Sequence, residues 1–470
     1  MRSSSSCRRP RWPPDRPRQQ RKDIAGQRGG GHPQQAAVIR GHGLDPHGAG
    51  SAFSASADIT STVNRPSSAA PLTWRFTHPL LDSVNKGVQD VRVLSEAHLT
   101  EGMRSVFVEL LVHGPLSRAE TARRLDLSPS ALTKLTKPLL GTGYLVHQPL
   151  DDRGAMGRPS QPLAVDPGRG ALIGVKLTEE ELFAVRTDLR AEIQRELRRP
   201  LISHDVEDVV AGIGDAVRDL TGSGVAPAAV GISLAGTASG ENPVVPNSPF
   251  LGWRNVPLAD LVTAATGVPA VVENDVRALT AAQQWFGAGV GHSSFALVTV
   301  GAGLGCGLVI GDRLVRGAGR GTGLVGHMSI HDNGPLCEMG HRGCARAYAS
   351  SAAIRRAVAA TLDRPDLTFE TCMALAADGE PVARRIFEDA GSALGQVVAT
   401  VANITGVELV VLSGEAVTMY DVCAGAFDAA LAAHTHWTST PVDVVIKPFT
   451  FSEWARGAAV IALQHRILAR

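Results

Sequence analysis

The sequence predicts a multi-domain α/β protein: an unstructured tail, a small helical module, then a larger two-part α/β domain. Three observations carry this. At 470 residues the chain exceeds one ordinary domain. From residue 104 to 146 the apolar spacing is helical and broken by tight polar turns. Beyond about residue 170, apolar runs such as LIGV (172–175), AAVGISL (228–234), FALVTV (295–300) and LVVLSG (409–414) alternate with helical stretches and glycine turns.

Residues 1–85 form the tail. Residues 1–75 are rich in Arg, Pro, Ser, Gly and Gln without a hydrophobic period, so they cannot bury enough apolar surface to offset chain entropy and are read as disordered. The run RRPRWPPDRPRQQRK (8–22) fits an arm that grips nucleic acid, a solvated tail, or a start codon placed too early. The net charge of +1 hides any local patch and points to no partner class. Six scattered cysteines make no disulfide framework and favour a reducing compartment. No apolar run nears the roughly 20 residues that span a bilayer, and the N-terminus lacks the apolar core of a secretory signal. The expectation is a cytoplasmic protein with no membrane partner.

The second element, residues 95–168, reads as a winged helix-turn-helix. Val106, Val108, Leu110 and Leu111 give a first helix an apolar face that Gly114-Pro115 ends. Ser117 and Glu120 make a capping-box pattern for a second helix, and Asp126-Leu127 makes the turn. Ser128 caps a third helix with Pro129 at its first position, and Pro138 is expected to end or kink it. Two short helices joined by a tight turn place the second in a major groove, where Ser130, Ala131, Thr133, Lys134 and Lys137, beside Ser128, reach bases or phosphates. YLVHQ (144–148) and QPLAVD (161–166) read as a hairpin wing, with Arg153 and Arg158 in its loop for a minor groove or phosphates. The alternative is a helical bundle with a solvated basic face.

The third element, residues 170–470, carries a specific resemblance. ALVTVGAGLGCGLVIGDRLVRGAGRGTGLVGH (296–327), SPFLGWRNVPL (248–258), VPAVVENDVRAL (268–279), GLVGHMSIHDNGPLCEMGHRGC (323–344) and EWARGAAVIAL (453–463) resemble, in order, the motifs of the ROK family of repressors, open reading frames and kinases. The resemblance covers about residues 100 to 470. It implies a two-lobed actin-like (ribonuclease H-like) domain, lobe 1 over 170–278 plus 456–470 and lobe 2 over 279–455, with a sugar cleft between them. It also implies a homodimer or homotetramer. Members with a winged helix are generally transcription regulators, so the expected partner is a double-stranded operator.

Kinase chemistry is not expected. Family kinases open the first lobe with Asp and Gly-Gly-Thr; here GVKLTEEEL (174–182) puts Lys176 for the Asp and Thr178, Glu179 and Glu180 for the rest. Carboxylates there repel phosphate and side chains block close backbone approach, so no ATP is expected. Asp275 matches the family's catalytic base but lacks a phosphate cradle beside it. The rival is an ATP-dependent sugar kinase with an appended helical domain.

By the same resemblance Asn274, Asp275 and His327 are retained sugar-cleft positions, whereas Phe250, Leu324 and Arg346 replace polar ones. Two readings stay open. In one the effector has changed, with Arg346 pairing an acidic or phosphorylated sugar. In the other the cleft is degenerate, Arg346 pairs with Asp275, and the protein binds DNA without sensing anything. The knot matches a family zinc site of one His and three Cys through His327, Cys337 and Cys344, but Met339 stands in the middle cysteine's place. A thioether carries no charge and suits zinc poorly. His341, more than His331 or Asp332, is the candidate substitute; a metal-free loop is the alternative.

Overall fold

The protein, seen in a computed structural model, is described over residues 99–148, 161–317 and 322–468. The tail expected over 1–85 lies outside the described residues, as do Arg153 and Arg158. Helix α1 (Glu101–His113) is capped by Thr100, and Gly114 at φ +80° ends it. Its buried stripe is Met103, Val106, Phe107, Leu110 and Leu111. Phe107, and not Val108 as expected, sits on that stripe, because positions three and four apart share a helix face.

Helix α2 (Arg118–Arg124) starts where the Ser117 hydroxyl accepts the Glu120 N–H at 3.1 Å. The reciprocal half of the expected capping box does not form, since the Glu120 carboxylate is taken by Arg123 and Arg124 at 2.6–2.9 Å. Asp126, at φ 51°, makes the turn. Ser128 then caps α3 (Pro129–Gly141) by accepting the Ala131 N–H at 3.2 Å. The expectation that Pro138 ends or kinks α3 is corrected in its first half: the helix does not end there but continues to Gly141. So near the C-terminus the ring forfeits one bond, while Leu139 stays buried and the Thr142 N–H and hydroxyl both close on the Pro138 carbonyl at 3.0 and 3.1 Å. Strands β1 (Leu145–His147) and β2 (Leu163–Val165) pair antiparallel, and Leu116 exchanges both backbone bonds with Leu163.

The rest repeats one sheet design twice. In the first sheet β3 (Leu172–Leu177), β4 (Glu181–Thr187) and β5 (Ile193–Pro200) form an antiparallel meander. Helix α4 (Val206–Thr221) leads to β6 (Val230–Leu234), parallel to β3. A small antiparallel sheet follows, of β7 (Thr237–Ser239), β8 (Asn242–Ser248) and β9 (Trp253–Val256). Helix α5 (Leu258–Thr266) returns the chain to β10 (Ala270–Asn274), parallel to β6, and α6 (Asp275–Phe286) crosses to the second sheet.

There β11 (Phe295–Val300), β12 (Leu304–Ile310) and β13 (Arg313–Leu314) again form a meander. After α7 (Ala345–Ala349), α8 (Ser351–Thr361), α9 (Phe369–Ala377) and α10 (Pro381–Thr405), strand β14 (Leu409–Ser413) lies parallel to β11. Helix α11 (Tyr420–His434) precedes β15 (Asp443–Ile446), parallel to β14. The orders β5-β4-β3-β6-β10 and β13-β12-β11-β14-β15 are the same arrangement. The central strands β3, β6, β11 and β14 are buried throughout, which is why they read as unbroken apolar runs.

Helix α12 (Phe451–Leu468) follows the second sheet in the chain and returns to the first, lying on β3 and β6. A Cβ at Gly174 would stand 1.9 Å from the Ala455 carbonyl, and one at Gly231 would stand 1.8 Å from that of Ala458. These glycines let helix backbone rest directly on strand backbone. The carboxyl ends of β3, β6, β10, β11 and β14 thereby converge on one cleft, the place where open α/β sheets bind ligands.

Candidate functional site

The cleft encloses about 730 Å3 between the two sheets. Its floor comes from strand ends: Lys176 from β3, Asn274 and Asp275 at the β10–α6 junction, and Glu415 just beyond β14. Both Asp275 oxygens are occupied. One accepts the Val276 N–H at 2.9 Å and the Asn274 amide at 3.2 Å, and the other pairs with the Lys176 ammonium. Lys176 also stands over the Trp454 ring, 4.9 Å from its centroid. Asn274 is committed to structure: its oxygen caps α6 through the Arg277 N–H at 3.2 Å, and its amide donates to the Gly236 carbonyl at 3.1 Å.

Arg346 reaches the cleft, but its partner is not the Asp275 that one of the two readings gave it. It pairs with Glu338, which also faces Arg356 at 3.8 Å. The knot carries Glu338 beside α7, while Asp275 is already held by Lys176. His327, expected to contact an effector, faces Cys337 and Cys344 and is not among the cleft-lining residues. Phe250 and Leu324, both exposed, make an apolar lip.

Glu415 was not singled out from the sequence, although a carboxylate directly after an apolar strand and Gly414 was a usable signal. It lines the cleft, where the protein around it raises its pKa above the ordinary carboxylate value; its own backbone N–H, Lys176 and the Ala302 backbone oppose this only in part. A Cβ at Gly301 would meet a Glu415 oxygen at 1.6 Å, and one at Gly303 would meet Arg346 at 2.7 Å. The space left by the glycine turn is thus filled by two side chains of opposite charge.

The knot forms a second centre. The chain turns tightly after Cys337, whose carbonyl accepts the Gly340 N–H at 2.9 Å, and Cys337 N–H donates to the His341 carbonyl at 2.9 Å. Gly340, at φ 83°, allows the turn. His327 Nδ1 lies 3.8 Å from Cys337 Sγ and 3.7 Å from Cys344 Sγ. His341 Nδ1 lies 3.0 Å from His327 Nδ1 and 3.7 Å from Cys337 Sγ. Met339 points to solvent, 66% exposed, so its sulfur takes no part. Burial lowers the His327 pKa, helped by His341 and Arg346. Burial pushes both thiols up, but at Cys337 the N–H groups of Met339 and His341 and the Cys344 thiol outweigh it and the net shift is down; Cys344 stays raised. Two soft donors at the bottom and imidazole at the mouth suit a tetrahedral metal such as zinc.

On the helical module, Ser128, Ser130, Thr133, Lys134 and Lys137 are exposed on or at the start of α3, and Ala131 is half-buried. Ser128 and Thr133 are partly spent on α3: Ser128 as its cap, Thr133 by donating to the Pro129 carbonyl at 2.8 Å. Arg118 was missed; it donates to Thr136 at 3.1 Å and locks α2 onto α3. Across the described residues no helix is long and apolar enough to cross a membrane.

The ROK family description matches residues 172–465. The chain belongs to the ROK family. It is 27% identical over 332 residues to a putative xylose repressor of a Caldicellulosiruptor species, a match covering 67% of this chain and 82% of that one. It is 25% identical to the DNA-binding transcriptional dual regulator NagC of Escherichia coli, across 68% and 82% of the two chains. A glucokinase of Thermotoga maritima is 38% identical, but over 165 residues, 35% of this chain and 52% of the enzyme. Among solved structures, a ROK family transcriptional regulator, homolog of the E. coli MLC protein, superposes with a TM-score of 0.68 at 23% identity, covering 78% of this chain and 97% of the other. A ROK glucokinase from Streptomyces griseus reaches 0.54 at 27% identity, covering 63% of this ROK protein and all of the enzyme.

Proposed function

We propose that this ROK protein is a DNA-binding transcriptional repressor, in which residues 95–168 form a winged helix-turn-helix and the cleft senses a small molecule without phosphorylating it. The observation that carries the reading is the α2–turn–α3 unit, each helix capped by a serine, with Ser130, Thr133, Lys134 and Lys137 exposed on the second. A paired β1–β2 hairpin stands beside it as the wing, and Arg153 and Arg158 fall in sequence between its two strands. The repressor and regulator named above match 67% and 68% of this chain, whereas the glucokinase matches 35%. The protein is a dimer that sets two α3 helices about one helical turn of DNA apart.

Kinase chemistry is not proposed. Asp275 is engaged by Lys176, Asn274 and the Val276 N–H, and Glu415 and Arg346 fill the glycine turn that would have to approach phosphates. The charge balance also selects among effectors. Lys176, Arg277 and Arg346 are each paired internally, while Glu179, Glu180 and Glu415 form no ion pair among the described residues, Lys176 acting on Glu415 only from a distance. That balance, with an apolar lip and a volume typical of small-molecule sites, favours an uncharged sugar over an acidic or phosphorylated one. The sugar in the name of the putative xylose repressor is itself uncharged. In the same reading the knot holds zinc through His327, Cys337 and Cys344, fixing Leu324 and Arg346 at the cleft rim; such a site contributes directly to folding.

The test is binding of the full chain to DNA upstream of its own gene against random duplex at physiological salt. A preference of about 10³-fold or more is expected of a site-specific regulator. Equal affinity for both, repeated in a genome-wide binding selection, would remove the reading. Neutral and phosphorylated sugars are then compared for release of the bound DNA.

A further inference from the structure

We propose that His341 supplies the fourth ligand of the knot, making it a Cys2His2 metal site in place of a three-thiolate one. This rests on the reading of the knot as a metal centre and adds a residue that neither the motif nor the three-residue cluster contains.

For tetrahedral zinc with Zn–S of about 2.3 Å and Zn–N of about 2.05 Å, the edges between donor atoms are about 3.3 Å for N–N and about 3.6 Å for N–S. The structure gives 3.0 Å between the two Nδ1 atoms, and 3.7, 3.7 and 3.8 Å for three N–S edges. Four edges of a tetrahedron are present, and His341 is a corner of two of them.

The sequence supplies the means. Cys337 to Gly340 make a turn in which Cys337 and His341 are backbone partners, so the residue four after Cys337 is carried back over its sulfur. Position 339 lies at the outside of that turn, where Met339 is exposed. The other candidate histidine is engaged elsewhere: the His331 ring sits edge-on to Tyr348, with centroids 6.0 Å apart.

The change alters the charge of the site. Zinc with two thiolates and two neutral imidazoles is neutral, whereas three thiolates and one imidazole leave one negative charge. Beside the knot, the Arg346 guanidinium is then free to pair with Glu338 without competition from an anionic centre. The smaller number of thiolates also leaves less sulfur to oxidise at a site whose imidazoles face water.

The experiment uses the full chain, stripped of metal with a chelator under reducing conditions and titrated with cobalt(II), then with zinc in competition. Wild type is expected to bind one cobalt per chain with tetrahedral visible bands and a charge-transfer intensity set by two thiolates. Met339→Ala is expected to match it. His341→Ala is expected to weaken zinc by more than about 100-fold, since loss of a direct ligand exceeds the 10–100-fold cost of losing an outer-shell partner. His341→Cys keeps a donor at that place, and is expected to retain metal while its charge-transfer band grows by a third thiolate's share; it decides the question should His341→Ala fail to fold. No binding by wild type would overturn the metal reading itself. Wild-type affinity in His341→Ala, or a two-thiolate spectrum in His341→Cys, would leave the metal and overturn the ligand.

Discussion

Lys176 and Asp275, 99 positions apart in sequence, form a buried ion pair at the floor of the cleft. Their side chains are only 6% and 9% exposed, and the Trp454 ring lies beneath the ammonium. A lysine at the end of β3 thereby occupies the carboxylate that would otherwise be free to accept a proton. The same pair holds β3 to the start of α6, so the position that departs most from kinase chemistry has become part of the structural frame.

Removing one member of that pair leaves a buried charge without a partner. Asp275→Ala is expected to cost about 3–5 kcal/mol in denaturant unfolding. Replacing both, as Lys176→Met with Asp275→Leu, is expected to recover most of the loss, because neither charge then needs solvating. A double variant as unstable as Asp275→Ala would show that Lys176 does not respond to the loss of its partner.

Glu415 makes stability depend on pH in a stated direction. Its pKa is raised in the folded chain by crowding in the cleft. A folded-state pKa above the unfolded one means that its contribution is complete below the ordinary carboxylate range and is lost as pH rises through the shifted value. Glu415→Gln is therefore expected to raise the melting temperature at pH 7, and the advantage to vanish on acidification towards pH 4. An advantage constant with pH would assign the effect to shape and not to charge.

Gly231 tests the seating of α12. Any side chain there meets the Ala458 carbonyl, which is backbone and cannot step aside. Gly231→Ala is expected to cost about 1–3 kcal/mol or more through overpacking. Gly425→Ala serves as the control, because nothing lies within 4 Å of a Cβ at that helical glycine. Equal midpoints for the two variants would mean that α12 does not rest on β6 as described.

What could be read from the sequence was local. Ser117 and Ser128 announced their helices because a cap acts within three residues, and the apolar runs announced the strands because burial on both faces leaves no alternation. What could not be read was pairing across distance. Glu338 as partner of Arg346 depends on how the knot folds, and Glu415 against Gly301 joins the ends of β14 and β11. The doubled sheet order was also hidden, since LIGV and FALVTV share a burial pattern and little more. Pro138 misled because the helix carries on past it, with Leu139 buried and Thr142 closing the last turn on the Pro138 carbonyl.

Lys134 and Lys137 stand one turn apart on the exposed side of α3, with no acidic partner among the described residues. In the proposed winged-helix reading each would neutralise a phosphate beside the groove that α3 enters. A phosphate contact releases counterions whatever the base sequence, and each contributes about 0.9 to the slope of log affinity against log salt. Lys134→Ala and Lys137→Ala are therefore expected to weaken binding to specific and random duplex alike, each lowering the salt slope by about 1. Thr133 differs, because its hydroxyl already donates to the Pro129 carbonyl and offers only its lone pairs and methyl group to a base. Thr133→Val is expected to leave the salt slope unchanged while altering preference at one base pair by about 1–3 kcal/mol. Binding isotherms at four salt concentrations separate the two behaviours. A lysine variant that keeps the full slope would place that residue away from the phosphates and put the docking of α3 in error.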